Sequence, residues 1–245
     1  MSCGIIENQN NKRGESMVFI TGDTHGEFSR IRAFCEEFNT TKEDIMIILG
    51  DAGINYYGSG DRSRKKKLQK LPITLFCIHG NHEQRPEAIA SYRLEDFHGG
   101  KVYIEDEFPD IKFAKDGQVY DFNGKEYIVI GGAYSVDKFY RLARGVNWFP
   151  NEQPSDEIKA EVESVLCNND WNIYGVLSHT CPLKYEPVEV FLPMIDQSIV
   201  DKTTEEWLDK IENILSYERW YCGHYHTEKK IDQLRFMFND IEELR

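Results

Sequence analysis

The chain is punctuated by short, unbroken apolar runs that end in polar, glycine-flanked loops. Residues 17–21 (MVFIT) run into GDTHGE, after which Phe28, Ile31, Phe34, Cys35 and Phe38 recur at helical spacing. The same grammar returns at 45–49 (IMIIL) before GDAG and at 73–78 (ITLFCI) before GNHE, with a basic segment from Arg62 to Lys70 between them. Continuous rather than alternating apolar runs predict strands buried on both faces by helices. From about 101 to 131 the segments KVYI, IKFA, QVYDF and EYIVIGGAYS, with NGK as a tight turn, predict antiparallel hairpins. A helix is expected from Pro154 to Leu166 with Ser155 as N-cap, followed by the strand IYGVLS and its His179. A second helix over 204–215 precedes ERWYCGHYH, and residues 227–238 read as a final hairpin. There is no internal repeat and no low-complexity linker. The reading is therefore one domain over 17–245, two βα-type halves sharing a core, behind a polar N-terminal extension at 1–16.

Composition narrows the function classes. Among 245 residues, 42 acidic side chains outnumber 29 basic ones, a formal net charge of −13. A field of that sign repels a polyanion, which argues against binding to duplex nucleic acid. No apolar run approaches the roughly 18 residues of a membrane span, so no membrane partner is expected. The opening MSCGIIENQNNKRGES lacks an apolar signal-peptide core, and the expected location is the cytoplasm. Six cysteines, at 3, 35, 77, 167, 181 and 222, form no CxxC pair and read as reduced thiols.

The candidate chemistry lies in the loops. Five of the seven histidines stand in or beside glycine-flanked motifs: His25 in GDTHG, His82 in GNHE, His179 in LSHT, and His224 with His226 in GHYH. From this composition a GHxH string is expected only roughly 0.015 times by chance. Each motif follows a buried strand, the usual place for a ligand crevice in α/β folds. Asp23, Asp51, Asn81 and the imidazoles of His25, His179, His224 and His226 make a mixed nitrogen and oxygen donor set without thiolate. Such a set suits two adjacent ions of Mn, Fe, Zn, Ni or Co better than Ca or Mg. A carboxylate such as Asp51 can bridge both. In D-x-H and H-x-H, a period of two on an extended segment would turn both side chains to one side.

These blocks, D-x-H, G-D, G-N-H-E, H and G-H-x-H in order over roughly residues 17–240, resemble the signature of the calcineurin-like metallophosphoesterases. The chain looks most similar to small bacterial metallophosphatases of uncharacterised substrate. The resemblance implies a four-layer αββα sandwich of two mixed sheets flanked by helices. It implies Asp23, His25 and His226 on one metal, Asn81, His179 and His224 on the other, Asp51 bridging, and His82 as a non-ligand catalytic histidine. It further implies hydrolysis of a phosphoric ester by a hydroxide held between the ions. Two divalent ions less the charges of Asp23 and Asp51 leave a local excess of about +2 in an acidic protein, which attracts a compact phosphate ester. The preferred substrate is a phosphomonoester, either a phosphoprotein or a small phosphometabolite; a phosphodiesterase is the alternative.

One departure from the protein phosphatase branch is informative. Where that branch reads G-D-x-V-D-R-G, this chain reads GDAGINYYGSGDRS, without an aligned arginine to grip phosphate. Arg85, Arg141 and Arg144 are the candidates, because a guanidinium fork matches phosphate oxygens. Other features take plainer readings. His79 is expected to be packed or beside a ligand, His98 to sit in a surface turn, and Cys77, Cys181 and Cys222 to act as small hydrophobes. The basic run Arg62, Arg64, Lys65, Lys66 and Lys67 is expected on a solvated helix face. Tyr56, Tyr57, Tyr134, Tyr140, Trp148 and Phe149 are candidates for the rim of the cleft, with core or surface packing the default role for any one of them. A non-catalytic scaffold of the same fold is a further alternative, against which the retained His82 argues.

Overall fold

The computed structural model describes residues 16–244; the expected extension thus lies almost wholly outside the described residues. Two sheets carry the molecule. In the first, β1 (Val18–Thr21), β2 (Ile45–Ile48) and β3 (Thr74–Cys77) run parallel as consecutive neighbours, and β6 (Ile111–Ala114) joins β3 in parallel. The edge is completed antiparallel by β5 (Gly100–Ile104) and β4 (Arg93–Phe97). In the second sheet, β8 (Lys125–Ile130), β9 (Gly175–Ser178) and β10 (Arg219–Cys222) are parallel neighbours. The hairpin partner β7 (Val119–Phe122) flanks β8. On the other side lie β12 (Leu234–Phe236), parallel to β10, and β11 (Lys229–Ile231), antiparallel to β12.

Alternation of the side chains explains why the strands read as continuous apolar runs. On β2, Ile45 and Ile47 point into a core between the sheets, shared with Tyr127, Val129 and Leu177 of the second sheet. Met46 and Ile48 point the other way, onto Ile31, Phe34 and Cys35 of α1 (Ser29–Phe38) and Leu68 of α2 (Asp61–Leu68). The second sheet repeats the arrangement. Val176 and Trp220 back onto Val162 and Leu166 of α4 (Asp156–Asn168) and Trp207, Leu208 and Ile211 of α5 (Thr203–Glu212). Both faces of the central strands are dry, and the result is the expected αββα sandwich with mixed sheets.

Ser155 caps α4 as expected, its side chain accepting from the Ile158 amide. The tail hairpin also forms as β11 and β12. Three elements were not expected: β4, the short helix α3 (Lys138–Arg144), and β13 (Ile241–Glu243), which adds to the outer edge of β1 antiparallel. The hairpin reading of 101–131 is half right. Antiparallel pairs β5·β6 and β7·β8 exist, but β6 and β8 are each captured on their other side by a parallel strand. The expected solvated basic helix is α2, with Arg62, Lys66 and Lys67 exposed; Lys65 alone of the run is buried, against Glu105 at 2.5 Å, and Arg62 pairs with Glu107 at 2.9 Å.

Close approach of the second sheet's strands depends on Gly175, where a Cβ would stand 2.6 Å from the ring of Tyr127 in the middle of the core. Gly175→Val is expected to destabilise the fold by about 2–3 kcal/mol through overpacking, read as a lower urea midpoint with unchanged m-value. An unchanged midpoint would show that the inter-strand gap is not limiting.

Candidate metal centre

Three parallel strands of one sheet and two of the other end at the same edge, and the loops that leave them carry the candidate residues. Asp23 and His25 follow β1, Asp51 follows β2, Asn81 and His82 follow β3, His179 follows β9, and His224 and His226 follow β10. All eight converge. They form two groups separated by one carboxylate.

In the first group, His226 Nε2 lies 3.3 Å from Asp23 Oδ2 and 2.8 Å from His25 Nε2. In the second, Asn81 Oδ1 stands 2.8 Å from His179 Nε2 and 3.1 Å from His224 Nδ1. Asp51 sits between: its Oδ2 is 3.8 Å from His25 Nε2, and its Oδ1 is 3.8 Å from His179 Nε2. The Asp51 carboxylate thus presents one oxygen to each group.

These contacts are wrong for a self-sufficient hydrogen-bond network. His179 Nδ1 must donate to the Leu49 carbonyl at 2.7 Å, which in a neutral ring leaves Nε2 with a bare lone pair. Asn81 Nδ2 donates to Ser135 Oγ at 2.8 Å, which turns its carbonyl oxygen inward to face that lone pair. Asp23 Oδ2 is buried, and the groups nearest to it are the imidazole nitrogens of His226 at 3.3 Å and His25 at 3.7 Å. Acceptors facing acceptors in a dry site require a cation, and the donor set of nitrogens and carboxylates fits divalent transition ions. Three overlapping sets, Asp23 with His25 and His226, His25 with Asp51 and His82, and Asp23 with Asp51 and His179, each bring their ligand atoms within 4.8 Å of one another.

The backbone is bent to achieve this. His25, Asp51, His224 and His226 all have positive φ, between 46° and 65°, a left-handed conformation uncommon for such residues and concentrated at functional sites. This corrects the extended-segment reading of D-x-H and H-x-H. The side chains converge through left-handed turns, and His224 and His226 serve different groups. Glycine makes room for the carboxylate: at Gly80 a Cβ would lie 2.0 Å from Asp51 Oδ1.

Electrostatics matches the geometry. Burial alone raises the Asp51 carboxyl, but His82, His179 and His25 around it outweigh burial and hold it well below the ordinary range. Asp23 is likewise lowered, the His226 hydrogen bond and His179 overcoming burial. Burial, helped by the neighbouring His179, pushes His224 down to about 3 and keeps it a neutral donor. His226 is raised, chiefly by its bond to Asp23.

His82 reaches the same place from outside the two groups. Its amide donates to Asp51 Oδ1 at 2.8 Å, and its ring Nδ1 lies 3.8 Å from Asp51 Oδ2. Arg141, from the unforeseen α3, donates through Nη2 to the His82 ring, 3.0 Å from Nδ1 and 3.2 Å from Nε2. Asp137 and Tyr56 brace that guanidinium at 2.8 and 3.2 Å. Burial first, with Arg141 adding to it, lowers the His82 pKa. The other candidate arginines stand elsewhere. Arg85 is buried and pairs with Asp116 at 2.5 Å and the Asn151 carbonyl at 2.8 Å, in a small separate cavity. Arg144 lies at the end of α3 over the ring of Tyr140. His79 is packed as expected, and Cys77, Cys181 and Cys222 are buried free thiols.

Beside the histidines opens a cavity of about 370 Å³. Sequence reading did not find it, because its walls come from Tyr134 and from the segment 186–201, which carries no motif. Glu205 of α5 also lines it, 4% exposed, with Thr180 Oγ1 donating to its Oε1 at 2.7 Å. Burial pushes this carboxyl up to about 7. An unfolded glutamate titrates near ~4.3, so between these values the folded chain holds a proton that the unfolded chain has released. Stability therefore falls as pH rises across that window, by roughly 3 kcal/mol in all. Compared with Glu205→Gln, the wild-type protein is expected to lose urea resistance between about pH 5 and about pH 8; parallel midpoints for the two proteins would contradict the raised carboxyl.

One solved structure shares the architecture. The Thermus thermophilus protein TT1561 superposes with a TM-score of 0.51 at 10% identity, covering 94% of this chain and 98% of that one. An Aquifex aeolicus protein of unknown function, AQ665, gives 0.34 at 14% identity over 70% of this chain and 82% of its own. No curated protein matches the chain. The calcineurin-like phosphoesterase model matches residues 17–234, a span that contains every residue of the two donor groups. Members of that family generally bind two divalent metals and act on phosphoesters, and this chain belongs to the calcineurin-like phosphoesterase family.

Proposed function

We propose that the chain is a dinuclear metal-dependent hydrolase of phosphoric esters, with phosphomonoesters preferred. The observation that carries this reading is Asp51, whose two carboxylate oxygens face two separate donor groups at 3.8 Å each. Asp23, His25 and His226 would hold one ion, Asn81, His179 and His224 the other, with Asp51 between them. Manganese, iron and zinc are the foremost candidates, nickel and cobalt following, since the donors are imidazole, amide and carboxylate. The chemistry such a pair supplies when bound is Lewis acidity toward phosphoryl oxygens and a water acidic enough to attack phosphorus.

The remaining steps fall to side chains of this chain. His82 stands at the rim of the two groups, where its imidazole can give a proton to the departing ester oxygen. Arg141 holds that ring in place and lowers its pKa; an incoming phosphate dianion beside His82 acts in the opposite direction and restores its proton. Arg141 is also the candidate arginine within reach of a bound phosphate, a role that the positions of Arg85 and Arg144 do not support. The preference for monoesters is supported by the cavity adjoining the donor groups, which accommodates an alcohol arm.

His82→Ala is expected to retain two metals and to lose about 10²–10⁴ in kcat on phenyl phosphate, with a much smaller loss on p-nitrophenyl phosphate, whose leaving group needs no proton. Equal losses on both esters would remove the acid role. Asp51→Asn is expected to lower the metal content below two per chain, measured by elemental analysis after dialysis. Full occupancy in that variant would sink the bridging assignment. Manganese-loaded protein that turns over neither p-nitrophenyl phosphate nor its bis ester would favour the scaffold instead.

A further inference from the structure

The cavity extends well beyond the histidines, and its far part has a character of its own. Val190, Phe191, Leu192, Ile195 and Val200 of the 186–201 segment form a predominantly apolar roof. Phe191 stacks on Tyr225 at 6.2 Å, which ties the roof to the loop between His224 and His226. The chamber also carries acids, Asp137, Glu186, Asp201 and Glu205, beside Gln197 and Tyr134. Glu186 accepts from Lys202 Nζ at 2.7 Å. Asp201 accepts from the Thr203 amide at 3.0 Å and from Gln153 at 3.1 Å. Asp137 accepts from Arg141 and turns its other oxygen toward His82 at 3.8 Å. Two carboxylate oxygens here are buried and accept no hydrogen bond from the described residues: Asp137 Oδ1, which faces the His82 ring, and, in the far part of the chamber, Glu205 Oε2, whose Oε1 takes the Thr180 hydroxyl.

A buried carboxylate oxygen without a donor costs free energy that a ligand can recover. Apolar walls with a small number of placed polar groups are the usual make-up of a small-molecule site, and about 370 Å³ lies within the range of such pockets. We propose that this chamber receives the alcohol portion of the ester and selects a compact, apolar alcohol carrying one hydrogen-bond donor, which pairs with Glu205 Oε2. Glu205 is then a specificity-determining residue, and a second anionic group on the alcohol is rejected by the acids around it. The upward shift of Glu205 is consistent with a missing counter-charge, which a protonated amine would supply. The placement of the phosphate rests on the hydrolytic reading above; the preference of the chamber does not, because binding reports it without turnover.

The test uses manganese-loaded protein and four phenols that differ only at the far end: tyramine, tyrosol, 4-ethylphenol and 4-hydroxyphenylacetate. In calorimetric titrations, tyramine or tyrosol is expected to bind at least about ten-fold more tightly than the carboxylate, the size of one hydrogen bond to a charged group. The tighter of the two distinguishes an ammonium from a hydroxyl as the natural donor. Glu205→Gln, which keeps an acceptor for Thr180, is expected to erase most of that preference and leave 4-ethylphenol unchanged. Ile195→Trp, which fills the chamber from its roof, is expected to weaken all four. Equal affinities, tightest binding of the carboxylate, or no effect of Glu205→Gln would overturn the proposal. The phosphate esters of the same phenols separate the two readings. Ordered binding without turnover of any ester would defeat the hydrolytic reading and leave the chamber standing. Turnover of all four at equal kcat/KM, unchanged in Glu205→Gln, would do the reverse.

Discussion

The buried carboxylate of Asp51 is the constraint around which the rest of the molecule is arranged. A charge so far from water is tolerated only if it is surrounded by groups that favour it, and here three histidines from three different loops do so. Beyond Arg141 at the His82 ring and the Leu49 carbonyl at His179 Nδ1, the inward nitrogens of the site face other acceptors. His25 faces His226 nitrogen to nitrogen, and His179 faces the carbonyl oxygen of Asn81. The arrangement is internally unsatisfied, and its donor set is one that could hold cations. Such a site is costly to fold, and the cost is met by the framework, because both sheets are apolar on both faces.

That framework also explains the precision of the site. Parallel strands of each sheet deliver their C-terminal ends to one edge, and the two sheets are locked together there by direct bonds. The His224 amide donates to Asp23 Oδ1 at 2.9 Å, and His179 Nδ1 donates to the Leu49 carbonyl at 2.7 Å. A donor atom from the second sheet is therefore placed by the backbone of the first. Left-handed turns at four of the site residues are held by tertiary contacts that outweigh their local cost, such as the His25 amide on the Asp51 carbonyl at 2.8 Å within the first sheet and the His224 amide on Asp23 across the two. His82 and Arg141 add a second tier, in which a short exposed helix reaches back to fix a ring against the metal groups.

Much of this was legible in the residues. Each of β1, β2, β3, β9 and β10 announces itself as an apolar run ending in a motif, because a strand covered on both faces leaves no polar position to confuse the pattern. The donor residues were legible for a related reason: histidine, aspartate and asparagine in glycine-flanked loops after such strands are rare by chance. The edges were not. β4 and β13 alternate or are short and half-exposed, and their pairing depends on neighbours distant in sequence. Likewise α3 carries Phe139, Tyr140 and Leu142 on exposed positions, so no amphipathic stripe marked it.

What the sequence determined by itself was the chemistry and its order: which donors exist, which strand each follows, and that the chain folds as an α/β sandwich able to bring them together. How they are shared out was implied only by the family resemblance, and the contacts that do it belong to the tertiary structure. Local spacing suggested that His224 and His226 point the same way, yet left-handed turns send one to Asn81 and the other to Asp23. Of three arginines of equal standing in the sequence, Arg85 was spent on Asp116, Arg144 was left at a helix end, and Arg141 was set against His82. Side-chain direction and ion pairing are settled by contacts between residues scores of positions apart, and no local pattern encodes them.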